Sequence, residues 1–264
     1  MLMKLNKYLF WGMGALFLWL LFGSLTVNVL KPNIYWGVGP LFVLLYLFSL
    51  LVYKESLNWK QVFVFMFVPV LVVFLALILN FYYAFPFGYF IYNDIAGWKI
   101  FRIAWPILFL WPTLILWAIT FTRPKNQIDD FKGVFQWSFD AGVVLALFSM
   151  MIDPISVATK FMSWSNKGAF LSVPIADFLS WFLVGFVSVF IMLLITKIYE
   201  LEKVFLNKTF AVWSALFLLS ISIFVIRLNL YFLLIIALLM LIILFYKMWK
   251  NKKLQNIELI KNRD

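Results

Sequence analysis

The sequence predicts an all-α, polytopic integral membrane helix bundle of about eight transmembrane helices with both termini cytoplasmic. Three observations carry this expectation. Of the 264 residues, 66% are hydrophobic and only 12% are charged, about half the roughly 25% usual in soluble domains. One soluble core cannot hide that much apolar surface. Apolar runs near the length that crosses a bilayer, about 20 residues, recur along the chain. Lys and Arg gather in alternate segments between these runs, as they do where loops face the cytoplasm.

Taken in order, the spans fall at 8–30, 34–53, 61–85, 101–121, 134–152, 173–197, 209–226 and 230–247. The first has too long an apolar run for a cleaved signal peptide, and no clean small-residue cleavage site follows it. The fourth follows the polar stretch PFGYFIYNDIAGWK, the fifth ends at MMIDP and the sixth opens at VPIAD. A tight polar turn at Arg227 and Asn229 separates the last two. With the N-terminus inside, sixteen of the 22 basic residues lie on the cytoplasmic side and six on the other. Residues 1–247 thus form one transmembrane domain, and 248–264 a basic cytoplasmic tail suited to the anionic inner leaflet. The loops after spans three and five, the two long polar interruptions, fall at the same non-cytoplasmic mouth, where two loops can build one site.

The chain has no Cys and no His. That excludes thiol nucleophiles, Cys/His zinc sites and imidazole acid–base chemistry, and leaves Asp, Glu, Lys, Arg, Tyr, Ser and Thr. The net charge of +11 is accounted for by cytoplasmic loops and membrane lipids as partners, with no nucleic acid.

An Asp near the middle of a span costs about 2.5–3.5 kcal/mol on insertion scales and often marks function. Asp153 stands at the outer end of span five, and Asp177 about one turn into span six. Asp140 lies about 20 Å below Asp153 along the same helix at 1.5 Å per residue. Structural roles compete for each. Asp153 precedes Pro154 and suits a helix end or turn. Asp177 follows Pro174 by three and suits a first-turn carboxylate at the positive helix end. Asp140 suits a pairing inside the bundle, Asp94 a turn in YNDIAG, and Asn80 an interhelical hydrogen bond. Trp164, Phe170, Phe178 and Trp181 gather around the polar loop, and Asp177 and Trp181 share a helix face at a spacing of four. An acid beside aromatic faces can protonate an alkene, and the rings can stabilise the resulting cation.

The segment MIDP…W…KGAF…VPIADFLSWF resembles the carotenoid biosynthesis protein family that includes the CruF-type carotenoid 1,2-hydratases and bisanhydrobacterioruberin hydratases. The positions that carry the resemblance are Asp153, Pro154, Trp164, Gly168, Phe170, Val173, Pro174, Asp177, Phe178 and Trp181. PFGYFIYNDIAGWKIFRIAWPILFLWPTLIL resembles a second family segment through Pro86, Phe87, Gly88, Tyr92 and Gly97. Together they cover about residues 80–185. Where the family has an Asn and a Gly, this chain has Asp177 and Ser180.

The resemblance implies a membrane hydratase that adds water across the terminal double bond of an acyclic carotenoid, giving a tertiary alcohol. It implies a carotenoid or other isoprenoid lipid as substrate and no metal or redox cofactor. The catalytic residues expected are Asp153 and Asp177, then Asp94 and Tyr92, with Asp140 behind them. Trp164, Phe170, Pro174, Phe178, Trp181, Phe87, Gly88 and Asn80 are expected to bind substrate. Three other functions compete. A prenyltransferase needs Mg²⁺ on paired acidic clusters, whereas Asp94 and Asp129–Asp130 fall on opposite sides. A transporter or lipid-binding module suits the Gly/Pro-interrupted stretches 34–40 and 105–112. A non-catalytic scaffold would sit beside other pathway enzymes. The residues do not specify an oligomeric state.

Overall fold

Helices carry most of the chain because apolar side chains alone cannot satisfy backbone polar groups away from water, and a helix does so within one segment. The computed structural model describes residues 38–55, 57–124, 130–197 and 208–243, with Gly12, Gly14 and Tyr246. The expected first span at 8–30 and the tail at 248–264 lie outside the described residues, apart from the two glycines. The helices are α1 Val38–Lys54, α2 Trp59–Tyr83, α3 Ile107–Phe121, α4 Phe131–Ala158, α5 Ile175–Thr196, α6 Lys208–Arg227 and α7 Leu233–Ile243. Among the described residues, α2, α4 and α5 are long and apolar enough to cross a membrane, and α1, α3, α6 and α7 are shorter apolar helices.

Helix starts follow local chemistry. Asn58 and Gln61 form a reciprocal capping box on α2, and the Asp130 carboxylate accepts the Gly133 N–H at 2.8 Å on α4. Each satisfies donors that a helix end leaves open. The outward face of α2 presents Phe63, Phe67, Leu71, Leu75 and Leu79, all exposed. A continuous apolar stripe at helical spacing suits lipid rather than water.

α4 and α5 form the most extensive helix pair. Phe139–Phe182, Phe135–Phe186 and Phe131–Phe190 meet edge to face at 5.1, 5.2 and 5.6 Å, each pair contributing about 0.5–1.5 kcal/mol beyond burial. Further up, glycines let the backbones close in. A Cβ on Gly142 would stand 2.7 Å from the Phe182 carbonyl oxygen, and one on Gly185 3.2 Å from Gly142 Cα. Small residues at a helix crossing permit this approach in membranes. α3 lies alongside, tied to α1 by Tyr53, whose hydroxyl donates to the Leu116 carbonyl at 2.6 Å, and to α4 by the Trp137 indole N–H on the Ile119 carbonyl at 3.0 Å.

Two expected boundaries are corrected. The span expected at 101–121 begins as a helix only at Ile107. Before it, β2 (Lys99–Ile100) and β3 (Ile103–Ala104) make an antiparallel hairpin. Phe101 and Arg102, at φ 48° and 69°, supply the two-residue turn with positive φ that matches strand twist. The helix expected to stop at 152 runs on to Ala158, with Pro154 inside it. Asp153 is therefore a helical residue, not a turn. The break between the last two helices falls where expected, with Asn229 left-handed at φ 58°.

The glycine contact makes a prediction. Gly142→Ala forces a Cβ against backbone, and this outweighs the gain in helix propensity of about 1 kcal/mol. The detergent-solubilised variant should melt several degrees below the parent, while Val143→Ala, on the exposed face of the same helix, should leave Tm nearly unchanged.

Candidate active site

The polar loops after α2 and α4 meet as one ribbon. β1 (Phe90–Tyr92) pairs antiparallel with β4 (Met162–Trp164), in register Phe90↔Trp164, Ile91↔Ser163 and Tyr92↔Met162. Alternation along a strand separates the two faces. Phe90, Tyr92, Met162 and Trp164 are buried, while Ile91 is exposed. Asn93 locks the end of the ribbon: its backbone N–H donates to the Phe161 carbonyl at 3.0 Å and its side-chain amide to the Lys160 carbonyl at 2.8 Å.

Asn80, 1% exposed near the end of α2, shapes the chain entering this roof. Its Oδ1 accepts the Phe87 N–H and its amide donates to the Gly88 carbonyl, both at 2.9 Å. Gly88 takes φ 95°, a conformation glycine adopts without penalty. On the other side, Gly168 packs so closely that an added Cβ would lie 2.1 Å from the Val173 carbonyl carbon. Phe170 and Val173 bridge behind it, and extended Pro174 starts α5.

Under this roof two carboxyl groups meet. Asp153 is 4% and Asp177 2% exposed. Ser149 Oγ stands 2.9 Å from Asp153 Oδ2 and 3.2 Å from Asp177 Oδ2. The two carboxyl groups also interact with one another, and the Trp181 indole lies beside both. Asp177 sits in the first turn of α5, yet that N-terminus has no side-chain cap. Its carboxyl turns into the bundle instead. Among the described residues, no ion pair links either Asp to a Lys or Arg.

Aromatic rings wall the pair. Trp111 stacks on Trp181 with centroids 3.5 Å apart and planes 16° apart. Phe87 lies 4.8 Å from Trp181, Phe90 4.8 Å from Trp164 and Phe90 5.3 Å from Tyr92. Burial, followed by the charges of Asp153 and Asp177, pushes the Tyr92 phenol well above its ordinary range, so it remains a neutral donor. The Trp164 indole N–H is buried and has no partner among the described residues.

A model of the carotenoid biosynthesis protein family matches residues 37–248. The chain belongs to the carotenoid biosynthesis protein family. The match spans all seven helices described above and both ribbon strands, and it places this membrane protein in carotenoid biosynthesis, among isoprenoid substrates. No curated protein and no solved structure matches the chain.

Within this family member the expected site residues divide. Asp153, Asp177, Tyr92, Trp164, Trp181 and Phe87 converge on the pair and its roof, with Gly88 and Asn80 as their support. Phe178 and Phe170 meet at 5.3 Å, and Phe170 continues to Phe232 at 6.0 Å, so they join the loop to the start of α7. Pro174 is the N-cap residue of α5. Asp94 is exposed in a 3₁₀ turn, 3.4 Å from Lys99. Asp140 is exposed on α4, well below the pair. Two residues of the site went unread in the sequence. Ser149 precedes Asp153 by four, a spacing that puts both on one helix face. Trp111, within a largely apolar stretch, carries no such signal.

Because Tyr92 is held neutral, Tyr92→Phe should leave the tyrosinate absorbance change of an alkaline titration unaltered; a lost increment would show that the phenol ionises. Asn80→Ala removes two hydrogen bonds, one of them fully buried, and should destabilise the detergent-solubilised protein by about 1–3 kcal/mol, read as a lowered Tm.

Proposed function

We propose that this protein hydrates the terminal C=C bond of an acyclic carotenoid end group to a tertiary alcohol. The observation that carries the reading is the buried Asp153–Asp177 pair, joined through Ser149 and faced by Trp181. Two carboxyl groups this close, with no ion pair to a cation among the described residues, cannot both hold charge at ease, so the pair keeps one proton between them. That proton passes to the less substituted alkene carbon, forming a C–H bond and leaving a tertiary carbocation. The faces of Trp181, Phe87 and Phe90 stabilise the cation, as aromatic quadrupoles do. Water held near the Tyr92 hydroxyl forms the C–O bond, and its surplus proton passes to the other carboxylate of the pair. One alkene and one water give one alcohol, with one proton again held by the pair.

The surroundings fit a lipid-dissolved substrate. The outer faces of the helices are apolar, and the site lies under the ribbon at one end of the α4–α5 pair. In this reading the chain crosses the cell membrane about eight times with both termini cytoplasmic, the ribbon lies at the non-cytoplasmic mouth, and the basic tail rests on the inner leaflet.

Co-expression in a bacterial host that makes lycopene, followed by chromatography and mass spectrometry of the pigments, tests the reading. The expected product is more polar and heavier by one water. Asp153→Asn and Asp177→Asn should each lower its formation by roughly 10²-fold or more, while Asp94→Asn and Asp140→Asn retain it. Unchanged pigments from cells whose membranes contain the folded protein would overturn the reading.

A further inference from the structure

Four other buried helical serines in the bundle provide the comparison. Ser49, Ser138, Ser180 and Ser188 donate to the carbonyl four residues back, at 2.8, 2.8, 2.6 and 2.7 Å. This is the usual resting place of a helical hydroxyl. Ser149 departs from it. Fully buried, it places its oxygen between Asp153 on its own helix and Asp177 on α5, at 2.9 and 3.2 Å. A serine hydroxyl has one proton to give and lone pairs to accept with. It can donate fully to one carboxylate only, and its other contact is then completed by a proton on the partner carboxyl.

We propose that Ser149 is a positioning residue that returns the proton from one carboxyl group to the other after each turnover. This rests on the hydration reading above. The carboxyl group that protonates the alkene ends the chemical step as a carboxylate. The other receives the surplus proton of the added water. Resetting requires that proton to cross the pair. The newly formed acid O–H breaks as its proton joins Ser149 Oγ, while the Ser149 O–H breaks and its own proton joins the facing carboxylate. Two O–H bonds break and two form, and nothing else is consumed. The Trp181 indole lies beside both carboxyl groups, and Tyr92 is the further titratable group that faces them. The indole N–H cannot accept a proton, so the hydroxyl is the group suited to carry one across.

Ser149→Ala and Ser149→Thr test this in the full-length protein, with lycopene as substrate and substrate-free protein for spectroscopy. Ser149→Ala should lower kcat roughly 10²-fold with KM unchanged, and should raise the solvent deuterium isotope effect on kcat, because proton return becomes slow. Ser149→Thr keeps the hydroxyl and should recover most of the rate. A merely structural serine would not move the isotope effect. Wild-type kcat and isotope effect in Ser149→Ala would overturn the assignment. A second readout needs no turnover. The infrared C=O band of the protonated Asp should move to higher frequency in Ser149→Ala, having lost a hydrogen bond, and an unmoved band would equally overturn it. If the parent protein converts no carotenoid, hydration fails as the reaction, and the infrared band alone decides whether Ser149 joins the pair.

Discussion

Two carboxyl groups held in contact inside an apolar bundle set the terms for the rest of this structure. Removing even one carboxylate from water costs several kcal/mol unless it is neutralised or bonded. Here the two side chains meet one another and a single hydroxyl, with the Trp181 indole beside them. That contact requires α4 and α5 to lie closer than ordinary side chains permit. Gly142 and Gly185 provide the approach, and the Phe ladder below them sets the alignment. The loop must also deliver Asp177 into the first turn of α5, which the tight packing of Gly168 on Val173 and the extended Pro174 achieve.

The roof completes the arrangement. A ribbon with only one buried face can close a site and still meet the membrane surface, because strands alternate. Its inner face presents Phe90, Tyr92 and Trp164, and its outer face Ile91. Asn80 links the roof to α2 through the backbone of Phe87 and Gly88. Acid below and rings around are what alkene protonation demands: a proton source where the substrate dissolves, and polarisable faces where charge develops. Membership of the carotenoid biosynthesis protein family sets this site among isoprenoid substrates.

Hydropathy and charge made the helical segments readable from sequence, because length and composition alone decide them. The helices beginning at Trp59 and Ile175 start within two residues of the expected positions. Counting spans also put the loops after α2 and α4 at one mouth, and there β1 pairs with β4. The hairpin before α3 was unreadable for a physical reason. Ile100, Phe101, Ile103 and Ala104 are apolar enough to count as part of a span, and hydropathy does not register the positive φ at Phe101 and Arg102. Pro154 misled in the opposite direction, since a helix held by neighbours continues through proline. The acidic pair was visible as two carboxylates at similar depth on adjoining spans. That they share one hydroxyl is a matter of helix rotation, which the sequence does not encode locally, and the same holds for the stacking of Trp111 on Trp181. Asp94 and Asp140 are of the same residue type but face outward, and no periodicity in a helix apolar on all sides separates inward from outward.

A double-mutant cycle tests the contact on which this account depends. Thermal unfolding free energies of the detergent-solubilised parent, Asp153→Asn, Asp177→Asn and the double variant give the interaction between the two side chains without reference to any substrate. A pair that shares one proton and one hydroxyl should show an interaction term of about 1 kcal/mol or more, with the second substitution having an effect unlike its effect alone. Additivity within about 0.5 kcal/mol would mean that the carboxyl groups act independently, and would contradict the shared site from which the proposed chemistry follows.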